Sequence, residues 1–193
     1  MNTFYNYNTF LQKINEHKLL EKKGDSYDYG CAMLYFKFPE LKELHKKINK
    51  KDLYTEKGDR TYGIEDEPHC TLLFGFHKDV KEKEVIKKIK EFDIKDLKIH
   101  NPSAFKNEKY DILKFDIDAD YLHKINEALT KFPHTTDFPD YHPHITIAYL
   151  MSEESDKYIE IMKGLEYTVK PNKIVYSKPS GDKITAYLNK GYM

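Results

Sequence analysis

Two stretches of the chain share one core: "EPHCTLLFGF" at residues 67–76 and "YHPHITIAYL" at residues 141–150. Each reads Pro-His-x-Thr followed by apolar residues. Side chains alternate along a strand, so His69 shares a face with Thr71, and His144 shares a face with Thr146. Each copy therefore offers one imidazole and one hydroxyl. An unperturbed imidazole titrates near pH ~6.5, so both of its forms are available near neutrality. Two such groups closing on one phosphodiester would act without a metal. A neutral histidine would take the proton of the attacking hydroxyl, and a protonated one would supply the leaving oxygen. Positioned proton transfer of this kind is worth about 10²–10⁴-fold in rate. Thr71 and Thr146 would hold the non-bridging oxygens, where charge accumulates. The residue types leave open which histidine is acid and which is base.

The motifs need strands to carry them, and both are rich in β-branched and aromatic residues. Pro68 and Pro143 lack an N–H and suit the start of a strand, which puts each histidine beside a cleft. Cys70, Leu72 and Phe74 then point to the opposite face, as do Ile145, Ile147 and Tyr149. Helices are predicted over 5–22, 39–48, 81–92, 120–132 and 153–164, the third burying Val85, Ile86 and Ile89. Strands are predicted over 31–38, 110–118, 166–170, 173–178 and 183–188, with 97–106 a weak strand pair or loop. In the first, Ala32, Leu34, Phe36 and Phe38 form an apolar face; Met33, Tyr35 and Lys37 form a mixed one. Residues 49–68 and 133–143 read as loops leading into the two motifs. The order is mixed α and β, an α+β fold with antiparallel hairpins at the end. No linker interrupts it, so residues 1–193 are expected to form a single domain, with 1–28 a helical extension. The helices between the motifs show that the repeated unit is larger than a solenoid motif.

The 193 residues balance 32 basic against 32 acidic side chains, which argues against a protein that simply coats nucleic acid. An anionic ligand must be held locally. Arg60 is the only arginine, so lysines, hydroxyls and histidines are left for most anion contacts. The bias towards Lys, Asn, Ile and Tyr suggests an AT-rich genome, that of a low-GC bacterium or its virus. Cys31 and Cys70 are too few for a disulfide framework. Residues 1–10 lack the basic start and apolar core of a signal peptide, and no run reaches membrane-spanning length. A cytoplasmic protein is expected. His142 forms His-x-His with His144, but Glu67 stands at the matching position of the first motif and no further ligands occur at zinc spacing. No metal or other cofactor is expected. Tyr35 could stack on a base and Lys37 could meet phosphate, with Arg60 and Tyr62 further substrate contacts from the loop before the first motif.

Paired His-x-Thr strands, here His69 and Thr71 with Leu72, and His144 and Thr146 with Ile147, resemble the two-histidine or LigT-like phosphoesterase superfamily. The resemblance implies two pseudo-symmetric lobes of antiparallel sheet with flanking helices around a central cleft. It also implies a metal-independent phosphodiesterase. Members cleave 2′,3′-cyclic phosphates, 2′-5′ linkages or cyclic oligonucleotides. The second motif, "PHITIAY" after a Tyr-rich approach, resembles the phage anti-CBASS cyclic nucleotide phosphodiesterases, which destroy the alarm signal of bacterial defence. The expected substrate is a small cyclic oligonucleotide, 3′,3′-linked. The alternatives are RNA ends, through 2′,3′-cyclic phosphodiesterase or 2′-5′ ligase chemistry, and a non-catalytic protein that sequesters a nucleotide.

Overall fold

The computed structural model describes residues 29–57, 62–136 and 140–188; the helix expected over 5–22 lies outside them, as does Arg60. Among the described residues the chain runs β1 (Gly30–Lys37), α1 (Leu41–Lys46), β2 (His69–Phe76), α2 (Glu82–Lys90), β3 (Leu97–Lys106), β4 (Tyr110–Ile117), α3 (Asp120–Leu129), β5 (His144–Met151), α4 (Ser155–Met162), β6 (Tyr167–Ser177) and β7 (Lys183–Tyr187). The strands form a seven-stranded antiparallel sheet in the order β2-β1-β6-β3-β4-β5, with β7 added to β6. This is the α+β class expected. No described helix is long and apolar enough to cross a membrane.

β6 joins two half-sheets. Its start, Tyr167–Val169, pairs with β3, and its end, Lys173–Ser177, pairs with β7. β1 runs along its other edge. The sequence suggested two strands here because Pro171 cannot donate to a ladder. The register shifts opposite Pro171, between Tyr35 and Phe36 of β1, and one strand continues across the shift. Residues 97–106 likewise form one strand, with an irregularity between His100 and Pro102 that places Asn101 at φ 49°.

The motif strands share a second feature that alternation alone did not predict. Ala32 pairs with Leu73 and Met33 with Thr71, so Leu72 is an extra residue in β2. Leu113 pairs with Ala148 and Lys114 with Thr146, so Ile147 is an extra residue in β5. Each His-x-Thr is thus followed at once by a β-bulge, which moves the side chains after it to the other face, until in β2 a second shift at Gly75 returns Phe76 to the core. Cys70, Leu72, Ile145 and Ile147 enter the main core as expected, and Leu73, Ala148 and Leu150 join them. Phe74 and Tyr149, expected on that core face, cross to the other. Phe74 packs with Cys31, Met33, Tyr35 and Val175. Tyr149 packs with Tyr54, Tyr62, Phe105, Tyr110 and Ile112. Each histidine-bearing face therefore has its own small apolar cluster.

β2 and β5 end the strand order, and an exposed strand edge is a liability. Each is covered by the loop that approaches the other motif. Over β5, Tyr54 N donates to Tyr149 O (3.0 Å), Tyr149 N to Gly63 O (2.7 Å) and Glu65 N to Ile147 O (3.0 Å). Over β2, Thr135 N donates to Gly75 O (2.9 Å), His77 N to Pro133 O (3.0 Å) and the Tyr141 hydroxyl to Thr71 O (3.0 Å). Asn126 Nδ2 of α3 donates to Leu72 O (2.7 Å), serving the bulge itself.

Gly75 is where this covering comes closest. Its φ is +105°, and a Cβ there would lie 1.9 Å from Thr135 O. Gly75→Ala is expected to lower stability by about 2–4 kcal/mol, because a strained backbone meets another backbone that cannot step aside. An unchanged melting temperature would contradict the close approach.

Candidate active site

β2 and β5 touch although no ladder joins them. Tyr141, three residues before His144, passes its hydroxyl to Thr71 O and lies 3.6 Å from Cys70 Sγ. The Cys70 thiol also interacts with the His144 backbone, and burial pushes it up to about 11, so it stays a neutral packing group. The strands bearing the two motifs are therefore tied beside each other, and His69 and His144 lie near enough that charge on one disfavours charge on the other.

The two imidazoles are held alike. His69 Nδ1 lies 2.8 Å from Glu67 O, and His144 Nδ1 lies 2.8 Å from His142 O. A carbonyl only accepts, so each Nδ1 carries the proton and each Nε2 keeps its lone pair. Glu67 and His142 match in position but not in type, since the imidazoles bind only their carbonyls; the Glu67 carboxylate instead meets Lys173 Nζ at 3.4 Å. Both side chains are exposed. The prolines complete the likeness: Phe36 N donates to Pro68 O and Ile117 N to Pro143 O, both at 3.0 Å, and these bonds fix the chain at each strand start.

The floors beneath the two histidines differ. In the first half, Tyr35 lies between His69 and Lys173 as direct strand partners, and Met33 between Thr71 and Val175. The Tyr35 ring stacks on His69 at 5.1 Å, and Lys173 Nζ sits 4.5 Å from the ring centroid. In the second half, Asp116 is the strand partner of His144 and Lys114 that of Thr146. Lys114 Nζ donates to Ser103 Oγ (2.9 Å) and to Asp116, and it lies 4.4 Å from the Phe105 centroid. Phe105 meets His144 edge to face at 4.8 Å. Burial lowers Lys114 from the usual lysine value against the pull of Asp116. Burial works to raise Asp116, but the Lys114 hydrogen bond and charge, with help from Asn101 and Ser103, hold it below the usual carboxylate value. His144 falls to about 4, chiefly because burial penalises its charged form; Lys114 and His69 push the same way, while the His142 carbonyl and Asp116 oppose. At neutral pH His144 is a neutral imidazole. A recess of about 400 Å³ opens beside His142 and Pro143, walled by Phe105, Lys114, Asp116, His123 and Tyr141.

The structure thus brings together five of the residues expected from sequence: His69, Thr71, His144, Thr146 and Tyr35. Lys37 is exposed at the end of β1. Tyr62 is only 5% exposed, packed edge-on against Tyr54 and Tyr149, so it backs the wall behind Phe105 instead of presenting a ring face. Lys114, Asp116, Phe105 and Tyr141 did not emerge from the sequence. Alternation in β4 places Lys114 and Asp116 opposite the apolar Leu113, Phe115 and Ile117, a face that reads as solvated. Only the pairing of β4 with β5 reveals it as the floor under His144.

The family described as anti-CBASS protein Acb1 matches residues 40–170. Among solved structures, Usb1 of Kluyveromyces marxianus superposes with a TM-score of 0.51 at 11% identity, over 84% of this chain and 99% of that one. LigT of E. coli, complexed with phosphate, gives 0.44 at 16% identity over 84% and 96% of the two chains. TT0787 of Thermus thermophilus gives 0.46 at 16% identity over 82% and 95%. No curated protein matches the sequence. At such identities the Usb1 likeness speaks for the fold alone. The family match spans more than half of the chain and contains both His-x-Thr motifs, so the chain belongs to the anti-CBASS Acb1 family.

Proposed function

We propose that the chain is a phosphodiesterase acting on cyclic nucleotides, and that His144 is the base and His69 the acid of its first step. The observation that carries this reading is the matched pair of imidazoles, each with Nδ1 bound to a carbonyl and Nε2 left for the reactant, on two strands tied side by side. A neutral His144 suits proton removal. For a 3′-5′ bond the nearest nucleophile is the ribose 2′-hydroxyl. His144 takes its proton as oxygen attacks phosphorus, the bond to the 5′-oxygen breaks, and His69 gives that oxygen its proton. Water then opens the resulting 2′,3′-cyclic phosphate with the roles reversed. Thr71 and Thr146, on the same faces as the histidines, hold the non-bridging oxygens, while Tyr35 and Phe105 back the two imidazoles. The preferred substrate is a 3′,3′-linked cyclic dinucleotide, consistent with a family that opposes a cyclic-nucleotide defence.

The test is incubation with cyclic dinucleotides, 2′,3′-cyclic AMP and 2′-5′ oligoadenylate in the presence of chelator, with products separated by chromatography. Turnover of the cyclic dinucleotides is expected. Preference for 2′,3′-cyclic AMP or the 2′-5′ oligomer would move the substrate to RNA ends. Tight binding with no product would make the protein a sequestering one.

A further inference from the structure

We propose that Lys114 is a positioning residue that makes the two half-sites inequivalent and so fixes His144 as the histidine that takes the proton. The inference rests on the phosphodiesterase reading above. Two nearly identical motifs leave the direction of proton traffic undecided, and something outside them must decide it.

The strand pairing shows what differs. Thr71 has Met33 beside it and His69 has Tyr35, both uncharged. The corresponding neighbours of Thr146 and His144 are Lys114 and Asp116. The ammonium is sealed beneath the site, its side chain 7% exposed against 33% for Asp116. Ser103, Asp116 and the Phe105 face hold it from three sides, so it has little freedom to swing towards solvent. The groups facing His144 are then Lys114 and Asp116 from β4, His69 from β2, Phe105 from β3 and the carbonyl of His142 from its own approach loop. Of the charged side chains, Lys114 acts on His144 more strongly than His69 or Asp116 does, and in the sense that resists an imidazolium. An ion pair this buried is a poor stabiliser, since apolar side chains of similar size often do as well. The first half shows the alternative in place: Met33 occupies the equivalent position and packs into its cluster.

Lys114→Met copies that alternative. The imidazole of His144 is followed by NMR titration, its signal identified by loss in His144→Ala, and the pH profile of kcat/KM is recorded beside it. In Lys114→Met the His144 titration and the acid limb of the profile are both expected to rise, by about one pH unit and together. Lys114→Arg, which keeps the charge, is expected to leave both near wild type. A lysine with only a packing role would lower the melting temperature and move neither. An unmoved His144 titration in Lys114→Met, or an equal shift in Lys114→Arg, overturns the proposal. Should Lys114→Met fail to fold, Lys114→Gln keeps the reach to Ser103 and Asp116 and carries the same expectation. Wild-type protein that turns over none of the phosphodiesters would defeat the functional reading, while the titration would still decide the role of Lys114.

Discussion

His69→Ala and His144→Ala each lose activity by about 10²–10⁴-fold, the worth of one positioned proton transfer, and each stays folded. Both rings stand at the first residue of a strand, partly exposed, with one backbone carbonyl bound. Removing either leaves a carbonyl that water can serve, on an exposed residue. In His144→Ala a poorly hydrated imidazole also disappears. The measurement is kcat with a melting curve for each variant. A substrate whose leaving group needs no proton, such as a p-nitrophenyl ester of a nucleoside 3′-phosphate, separates the two roles. It restores most of the activity of His69→Ala, which lacks the acid, and none of that of His144→Ala, which lacks the base. The reverse pattern would exchange the assignment. Near-normal activity in either single variant on the natural substrate would refute paired catalysis.

The second large effect lies in the substrate. If the 2′-hydroxyl is the nucleophile, a cyclic dinucleotide with 2′-deoxyribose at the cleaved step is inert, while still binding as a competitive inhibitor. The site offers two imidazoles, two hydroxyls and a lysine committed to Asp116 and Ser103, which is machinery for moving protons around an attacking group the substrate brings. Water would have to be placed afresh to replace that group, and a large part of the advantage of an intramolecular attack would vanish. Turnover of the deoxy compound at a comparable rate would mean direct attack by water and would remove the cyclic phosphate intermediate.

The sequence made the paired histidines and threonines legible because strand alternation is local: His69 and Thr71 need only two residues of extended chain to share a face. The helices were legible for the same reason, as Val85, Ile86 and Ile89 show, all buried in α2. What the sequence hid was set by pairing between strands. The bulges at Leu72 and Ile147 exist only relative to β1 and β4, so nothing in "TLLF" or "TIAY" announces that Phe74 and Tyr149 change face. Lys114 is of the same kind: a lysine between apolar neighbours reads as solvated until Thr146 is found beside it. β6 read as two strands because Pro171 interrupts its ladder, while its neighbours on both sides keep it continuous.

The exchanged loop coverings carry a consequence for how such a chain can arise and be divided. Either half by itself would present a bare strand and hold, in its own approach loop, a cover shaped for another strand. The readiest owner of the missing piece is a second copy of the same half, so a half expressed alone is expected to pair by trading loops, with one histidine contributed by each member. Joining the copies end to end turns that trade into an internal one at far higher effective concentration. It also lets the two halves differ, as they do where Met33 stands beside Thr71 and Lys114 beside Thr146.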